Sequence, residues 1–205
     1  MSARRFLKVT LSALAGLAAI HAHSACATDA KLGARLVAEH CATCHGVDGN
    51  SPVPGTPHLA AQQPDYLLAE LRAYREGKRE SPVMQPIAQA LADADAGHIA
   101  AFLIQQKPAP RRVTAPDQLA LGKRVYFEGN PDSGVPSCDG CHETGGEGAD
   151  RFPRVAGQDV DYTLEQFRLY AAGKRNYGKK VMRTVAQRLT AQEARAVAEY
   201  MASQP

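Results

Sequence analysis

Two short segments of the chain combine two cysteines with a histidine at identical spacing. CATCH occupies 41–45 and CDGCH occupies 138–142. In each segment two thiols lie three residues apart, and an imidazole follows the second thiol directly. Four chemistries use such a pattern: a zinc site, a thioredoxin-like redox pair, a local disulfide and the attachment of a c-type haem.

Three of these chemistries fit the rest of the sequence poorly. A zinc site would join both cysteine pairs on one metal, but 93 residues separate the pairs and each has its own histidine. A thioredoxin-like pair belongs in a β-α-β context, which the sequence does not indicate. A disulfide between Cys41 and Cys44 would close so short a loop that it would add little stability.

Haem attachment accounts for every residue of the motif. Two thiols can bond to the two vinyl groups of the porphyrin edge, and the histidine behind them can become the axial ligand of the iron. The motif therefore predicts two covalently bound haem c groups. The predicted attachment residues are Cys41, Cys44, Cys138 and Cys141, and the predicted axial ligands are His45 and His142.

The sixth iron ligand is predicted to be a methionine in each half of the chain. Met84 and Met182 follow their histidines by 39 and 40 residues, and both precede the last predicted helix of their half. Each is expected to lie in a loop that folds back over the iron. Thioether sulfur is a common sixth ligand of cytochrome iron. Met201 matches Leu103 in the other half, so it is predicted to be a packing residue.

The remaining histidines and two prolines have weaker signals. His40, His58 and His98 have no histidine at the matching position of the other half, and a surface role is expected for His58. Pro57 and Pro153 are either ordinary turn prolines or residues whose carbonyl groups orient the axial histidines. Their positions alone leave both interpretations open.

The cysteine motifs belong to an internal duplication of about 80 residues. Matching segments follow each motif at an offset of 96 to 98 residues: 57–66 with 153–162, 71–79 with 167–175, and 83–91 with 181–189. The proline-rich segment between the copies reads as a semi-extended linker. The predicted domains are therefore 28–106 and 117–205, joined by the linker 107–116.

Apolar spacing predicts an all-α fold. Each copy has three predicted helices: 31–42, 64–76 and 93–106 in the first, and 117–128, 160–172 and 191–204 in the second. Gly77 and Gly173 are placed to end the middle helices. Thr190 and Glu193 form the sequence pattern of a capping box. No alternating pattern indicates a strand.

The N-terminus indicates export. Arg4, Arg5 and Lys8 precede the apolar run 11–20, and Ala25-Cys26-Ala27 offers a cleavage site. This is typical of a secretory signal peptide, so 1–27 is predicted to be removed after Ala27 and the protein to be periplasmic. The alternative is a lipoprotein in which Cys26 is acylated. No later segment is apolar for long enough to span a membrane, and peripheral membrane association is left open.

The charge balance gives no indication of nucleic-acid binding. Removal of 1–27 leaves 21 basic and 21 acidic residues. The first half carries a net charge of −2 and the second a net charge of +2. This difference is read as chance or as a dipole that orients the protein at its partners.

The chain from 28 onward resembles the dihaem cytochrome c4 family. The matching segments are 41–51, 57–62, 134–142, 146–148, 152–158 and the two Val-Met segments that begin at 83 and 181. The resemblance implies two tandem class I cytochrome c domains, each wrapped around one covalent haem c. It also implies His/Met ligation of both irons, bonds from the axial histidines to the carbonyls of Pro57 and Pro153, and packing of first on last helix through Gly33 and Gly122, near Phe102 and Tyr200.

Six-coordinate His/Met iron leaves no open position for a substrate, so the sequence predicts a one-electron carrier and not an enzyme. Its expected partners are redox proteins: a quinol-oxidising complex as donor and a terminal oxidase or reductase as acceptor. The first alternative is a dihaem subunit of a larger oxidoreductase, such as a flavocytochrome sulfide dehydrogenase or a quinoprotein dehydrogenase. The second is a dihaem enzyme, which would need one iron with a labile ligand.

Overall fold

The computed structural model describes residues 28–109, 111–175 and 180–205. The predicted signal peptide, its cleavage site and Cys26 lie outside these residues. Within them the chain is helical, and its pairing of extended backbone is limited to isolated bridges at Asn130–Val135 and Ala149–Phe152. The helices are α1 Ala30–His40, α2 Ala42–His45, α3 Pro64–Arg75, α4 Met84–Ala90, α5 Asp93–Leu103, α6 Leu119–Glu128, α7 Asp139–His142, α8 Val160–Ala171, α9 Lys180–Arg188 and α10 Ala191–Ser203. A 3-10 turn at Pro116–Gln118 leads into α6.

In the first domain, made of α1–α5, the first helix packs across the last. Asp29 caps α1 by accepting hydrogen bonds from the backbone of Lys31 and Leu32. The apolar core between α1, α3 and α5 consists of Val37, Leu67, Leu91, Ile99, Ala100 and Leu103. Cys41 packs against this core, so the first thiol of the CATCH motif lies beside the apolar centre of the domain.

The second domain, made of α6–α10, repeats this arrangement with α6 packed across α10. The predicted capping box is confirmed, because Thr190 Oγ1 accepts from Glu193 N and the Glu193 carboxylate accepts from Thr190 N. The core consists of Val125, Tyr126, Val197, Tyr200 and Met201, and Cys138 packs against it. Met201 is buried there, which confirms its predicted packing role.

Two helices differ from the sequence-based expectation. The segments that carry Met84 and Met182 were expected to be loops, but they form α4 and α9. The hydroxyl of Ser81 accepts a hydrogen bond from Met84 N and so satisfies one of the free amides at the start of α4. Pro86 lies in the first turn of α4, where a proline is compatible with a helix. The short apolar pattern of these segments was too weak to separate a helix from a loop.

The linker is fastened to both domains. Asn50 in the first domain accepts a hydrogen bond from Ala109 N and donates one to Lys107 O. At the other end, Thr114 donates its backbone N–H and its hydroxyl to the fully buried carboxylate of Glu199 on α10. Burial alone would raise the pKa of Glu199, but these bonds outweigh it and hold the pKa below its usual value. The described residues of the linker are therefore held by hydrogen bonds to both domains.

Within the described ranges, no helix is both long and apolar enough to cross a membrane.

Candidate haem sites

The CATCH motif is arranged on one helical turn. Cys41 ends α1, and its carbonyl oxygen accepts from the backbone N–H groups of Cys44 and His45. This turn carries the two cysteines and the histidine on one short stretch of helical backbone. Ser51 ties the turn to the following loop, because its hydroxyl donates to Cys44 O at 2.7 Å.

The CDGCH motif has the same geometry. Cys138 precedes α7, and its carbonyl oxygen accepts from the backbone N–H groups of Cys141 and His142. The preceding helix supports the turn, since Cys138 N donates to Tyr126 O at 2.7 Å and the Tyr126 hydroxyl donates to Glu143 O at 2.6 Å. The backbone hydrogen bonds of the motif are therefore the same in both domains.

The four motif thiols are all free, and no disulfide links them. Burial raises the pKa of Cys41 to about 11 and that of Cys138 to about 12. No three His, Cys, Asp or Glu side chains of the described residues come close enough to hold a metal ion between them. The zinc and disulfide alternatives therefore gain no support from the geometry.

Both axial-ligand candidates are buried and held by a proline carbonyl. His45 Nδ1 donates to Pro57 O at 2.9 Å, and His142 Nδ1 donates to Pro153 O at 2.9 Å. These hydrogen bonds, implied by the family resemblance, are confirmed. They place the proton on Nδ1, so Nε2 carries the lone pair that a metal needs. Burial lowers the pKa of His45, and the bond to Pro57 only partly offsets this, so the imidazole is neutral at pH 7.

Met84 and Met182 occupy equivalent places in the two domains. Met84 is the first residue of α4 and Met182 is in the first turn of α9. Both side chains are half-buried, while the preceding valines, Val83 and Val181, are exposed. Each thioether therefore lies at the start of a short helix that precedes the last helix of its domain, and not in the expected loop.

The other histidines do not join the motifs. His98 Nδ1 accepts from Asp29 N and so connects α5 to the start of α1. His58 was expected at the surface, but it is buried where the two domains meet. Its Nδ1 accepts from Ser51 N at 2.8 Å and contacts the Arg111 guanidinium. The prediction was wrong because burial of His58 depends on the second domain and the linker.

A buried charged cluster lies between α3 and α8 and was not predicted from the sequence. Arg79 stacks on Tyr74 of its own domain and donates to Tyr162 of the other. Arg175 repeats this with Tyr170 and Tyr66. Both guanidinium groups also share the carboxylate of Glu70 and the amide oxygen of Gln166. The signal was present, because Arg79 and Arg175 end the matched segments LRAYREGKR and FRLYAAGKR.

This cluster fits a cofactor that brings its own negative charge. Its described residues include two buried guanidinium groups and one carboxylate, and Arg175 Nε is buried without a hydrogen-bond partner. Among the described residues, the Glu70 carboxylate alone faces both cations, and a buried guanidinium N–H without an acceptor is costly unless a further anion approaches it. The two propionate groups of a haem would supply that anion. The Nδ1-bonded imidazoles, free thiols and buried cations are all compatible with haem c.

Comparison with known proteins gives the same result. The cytochrome c family model matches the chain twice, over residues 30–107 and 119–205. The chain is 39% identical to cytochrome c4 of Thiocapsa roseopersicina, with 78% of this chain and 85% of the relative covered. It is 35% identical to cytochrome c4 of Pseudomonas aeruginosa, with 95% and 96% covered. It is also 33% identical to the thiosulfate dehydrogenase electron acceptor of Thiomonas intermedia, with 82% and 80% covered.

Solved structures extend this likeness to the fold. Reduced recombinant cytochrome c4 from Pseudomonas stutzeri superposes with a TM-score of 0.82 at 34% identity, covering 87% of this chain and 100% of that one. Thiosulfate dehydrogenase TsdBA from Marichromatium purpuratum superposes with a TM-score of 0.78 at 34% identity, covering 86% of this chain and 40% of that one. The chain therefore belongs to the dihaem cytochrome c4 family and is an electron-transfer cytochrome with two covalently bound haem c groups.

Proposed function

We propose that this protein is a periplasmic electron carrier that receives electrons from a quinol-oxidising complex and delivers them to a terminal oxidase or reductase. In this proposal the signal peptide is cleaved after Ala27, and the mature chain consists of domains 28–106 and 117–205 joined by the linker 107–116. The exported location suits covalent haem attachment to free thiols.

The proposed ligand set is the same in both domains. Cys41 and Cys44 hold one haem, with His45 and Met84 as its axial ligands. Cys138 and Cys141 hold the other, with His142 and Met182. When bound, each haem c would supply an iron that accepts and releases one electron.

The observation that carries the proposal is the equivalence of the two sites. Each domain has a buried histidine bonded to a proline carbonyl at 2.9 Å and a half-buried methionine at the start of a helix. Two fixed protein ligands leave neither site with an open position for a substrate. The proline carbonyls hold each imidazole in one orientation, so little rearrangement accompanies electron transfer.

The decisive experiment mixes the reduced holoprotein with membrane vesicles from its own organism in a stopped-flow spectrometer. We expect both haems to be oxidised under air, and expect the reduced protein not to bind carbon monoxide. Carbon monoxide binding to either haem would show an open iron and contradict the carrier function for that domain.

A second function is favoured by two of the comparisons. One relative is named a thiosulfate dehydrogenase electron acceptor, and one structural match is a thiosulfate dehydrogenase of which this chain covers 40%. The protein would then be the dihaem electron-accepting subunit of a larger oxidoreductase. Purification from the native periplasm separates the two functions, because a subunit would elute with a fixed ratio of a second polypeptide and a carrier would elute alone.

A further inference from the structure

Two glutamines exchange hydrogen bonds across the domain interface in a crossed pattern. Gln158 of the second domain accepts from His58 N at 2.9 Å and donates to His58 O at 3.1 Å. Gln62 of the first domain accepts from Arg154 N at 2.7 Å and donates to Arg154 O at 3.0 Å. Gln62 matches Gln158 in the duplication, and His58 matches Arg154. The two pairs of hydrogen bonds are therefore equivalent, with the roles of the two domains reversed.

The residue that each glutamine binds follows the proline that orients an axial histidine. The peptide group between Pro57 and His58 accepts from His45 Nδ1 at 2.9 Å through its carbonyl. The N–H of the same peptide group donates to Gln158 Oε1. In the other domain, the peptide group between Pro153 and Arg154 accepts from His142 Nδ1 at 2.9 Å. Its N–H donates to Gln62 Oε1. Each axial histidine is thus linked through one peptide group to the opposite domain.

Both glutamines are held firmly in place. Gln62 is 4% exposed and Gln158 is 8% exposed. Each Oε1 also accepts the backbone N–H of the next residue, Gln63 at 3.0 Å and Asp159 at 2.9 Å. Two N–H donors on each Oε1 fix which end of the amide is the oxygen. Water does not compete at such a site, so bonds in the chain polarise one another more strongly than in solution.

The expected electronic effect has a definite sign. When a peptide N–H donates to a good acceptor, its own carbonyl oxygen becomes more negative and accepts more strongly. A stronger bond to His Nδ1–H makes that imidazole a more basic ligand. A more basic ligand stabilises the oxidised iron over the reduced iron, so the reduction potential falls. Each glutamine should lower the potential of the haem in the other domain.

We propose that Gln62 and Gln158 are positioning residues that tune the opposite domain's haem through the peptide bonds at 153–154 and 57–58. This proposal rests on the ligand assignment made above, with His45 and His142 as axial ligands. In this proposal the domain interface does more than hold the two domains together, because its glutamine hydrogen bonds adjust the reduction potential of each haem. The glutamines act only through these peptide groups.

The experiment uses the holoproteins carrying Gln158→Met and Gln62→Met, which keep side-chain length and remove the accepting oxygen. Potentials are measured by redox titration, with each haem assigned by NMR. We expect Q158M to favour reduction of the first-domain haem by about threefold, or about 30 mV for one electron, and to leave the second-domain haem unchanged. Q62M should do the reverse.

A second readout follows the hydrogen bond itself. In the reduced protein, the His45 Nδ1–H resonance should move upfield in Q158M while the His142 resonance does not move. Gln158→Glu keeps an oxygen at the accepting position, and we expect it to move the His45 resonance downfield. This variant keeps the proposal testable if the methionine variant fails to fold.

Gln63→Met is the matched control. Gln63 also bonds across the interface, donating to Glu147 O at 2.9 Å and to Gly148 O at 3.0 Å, but it does not bond to the peptide groups after the two prolines. We expect Q63M to leave both potentials unchanged. Equal shifts of both haems in Q158M, or the same shift in Q63M, would overturn the proposal in favour of general interface loosening.

The wild-type spectrum separates this inference from the function on which it rests. Absence of the far-red Met–iron band from the wild-type protein would refute the ligand set, and this inference with it. A wild-type protein that shows the band but whose variants do not shift the opposite haem would refute this inference alone.

Discussion

Gly33 of α1 lies directly against the carbonyl oxygen of His98 in α5: a Cβ atom added at Gly33 would be 2.0 Å from that oxygen. Gly122 has the same relationship to Ala196 in the second domain, also at 2.0 Å. The resemblance implied this close helix crossing near Phe102 and Tyr200, whose Cβ atoms would be 2.8 Å from the added atoms. The two crossings depend on the absence of a side chain.

We expect Gly33→Ala and Gly122→Ala each to lower the free energy of unfolding by about 1–3 kcal/mol or more, because the helices must separate to admit a methyl group. Chemical denaturation of the holoprotein measures this. Gly97→Ala is the control: it lies in the interior of α5 and its added Cβ meets only Thr28, at 3.5 Å. It should stabilise the protein slightly through helix propensity. Equal behaviour of Gly33→Ala and Gly97→Ala would contradict the close crossing.

The methionine assignment predicts separable spectra. Met84→Ala should remove about half of the far-red Met–iron absorption and lower one reduction potential by at least about 100 mV, since axial thioether ligands raise the potential. Met182→Ala should remove the other half and lower the other potential. Met201→Leu is the control, because Met201 is a buried core residue whose counterpart in the first domain is Leu103. Full retention of the band in both alanine variants would show that the ligands are other residues.

The backbone conformation of Glu143, the residue after the second motif, predicts that one substitution stabilises the protein. Glu143 follows His142 with φ 67° and ψ 161°, a conformation that is almost restricted to glycine. The first domain has Gly46 at the equivalent place, with φ 77° and ψ 157°. We expect Glu143→Gly to raise the free energy of unfolding by about 1 kcal/mol, as relief of strain exceeds the added freedom of the unfolded chain.

Thermal and chemical denaturation of the holoprotein test this substitution. Gly46→Ala is the reverse experiment, and it should destabilise because its Cβ would lie 2.4 Å from Asn50 O. If Glu143→Gly destabilised the protein, the side chain of Glu143 would have a role that outweighs the backbone strain.

The lowered pKa of the buried His58 predicts that the free energy of unfolding depends on pH. Burial, together with the nearby Arg111 guanidinium, lowers the pKa of His58 to about 4. The unfolded chain binds a proton near the ordinary pKa of about 6.5. The neutral His58 imidazole therefore makes its full contribution to the free energy of unfolding above pH 6.5. This contribution falls as the pH drops below 6.5 and stays constant below about pH 4. The total loss is at most about 3 kcal/mol.

His58→Asn removes the titration while keeping an oxygen that can accept from Ser51 N. Unfolding free energies of wild type and variant should converge between pH 7 and pH 4.5. Parallel curves over that range would mean that His58 keeps its ordinary pKa in the folded protein and is not held there as a buried, neutral imidazole.

The amino-acid sequence by itself determined the features that depend on neighbours along the chain. The CxxCH turns, the capping box at Thr190 and the helix periodicity all involve residues within a few positions of one another, so their spacing is sufficient to predict them. The duplication added a second, independent copy of each signal. Two haem c groups, an all-α fold and the cytochrome c4 family followed from these local patterns and their repetition.

Only the tertiary structure decided how the two copies meet. Gln62 and Arg154 are 92 positions apart, and His58 and Gln158 are 100 apart. Nothing in local spacing specifies a contact at that range, because it depends on how two finished domains dock. The same docking buries His58, which was expected at the surface, and brings Arg79 and Arg175 to one carboxylate. The sequence shows that these residues are repeated. Only the packed interface shows that residues of one copy form hydrogen bonds with residues of the other.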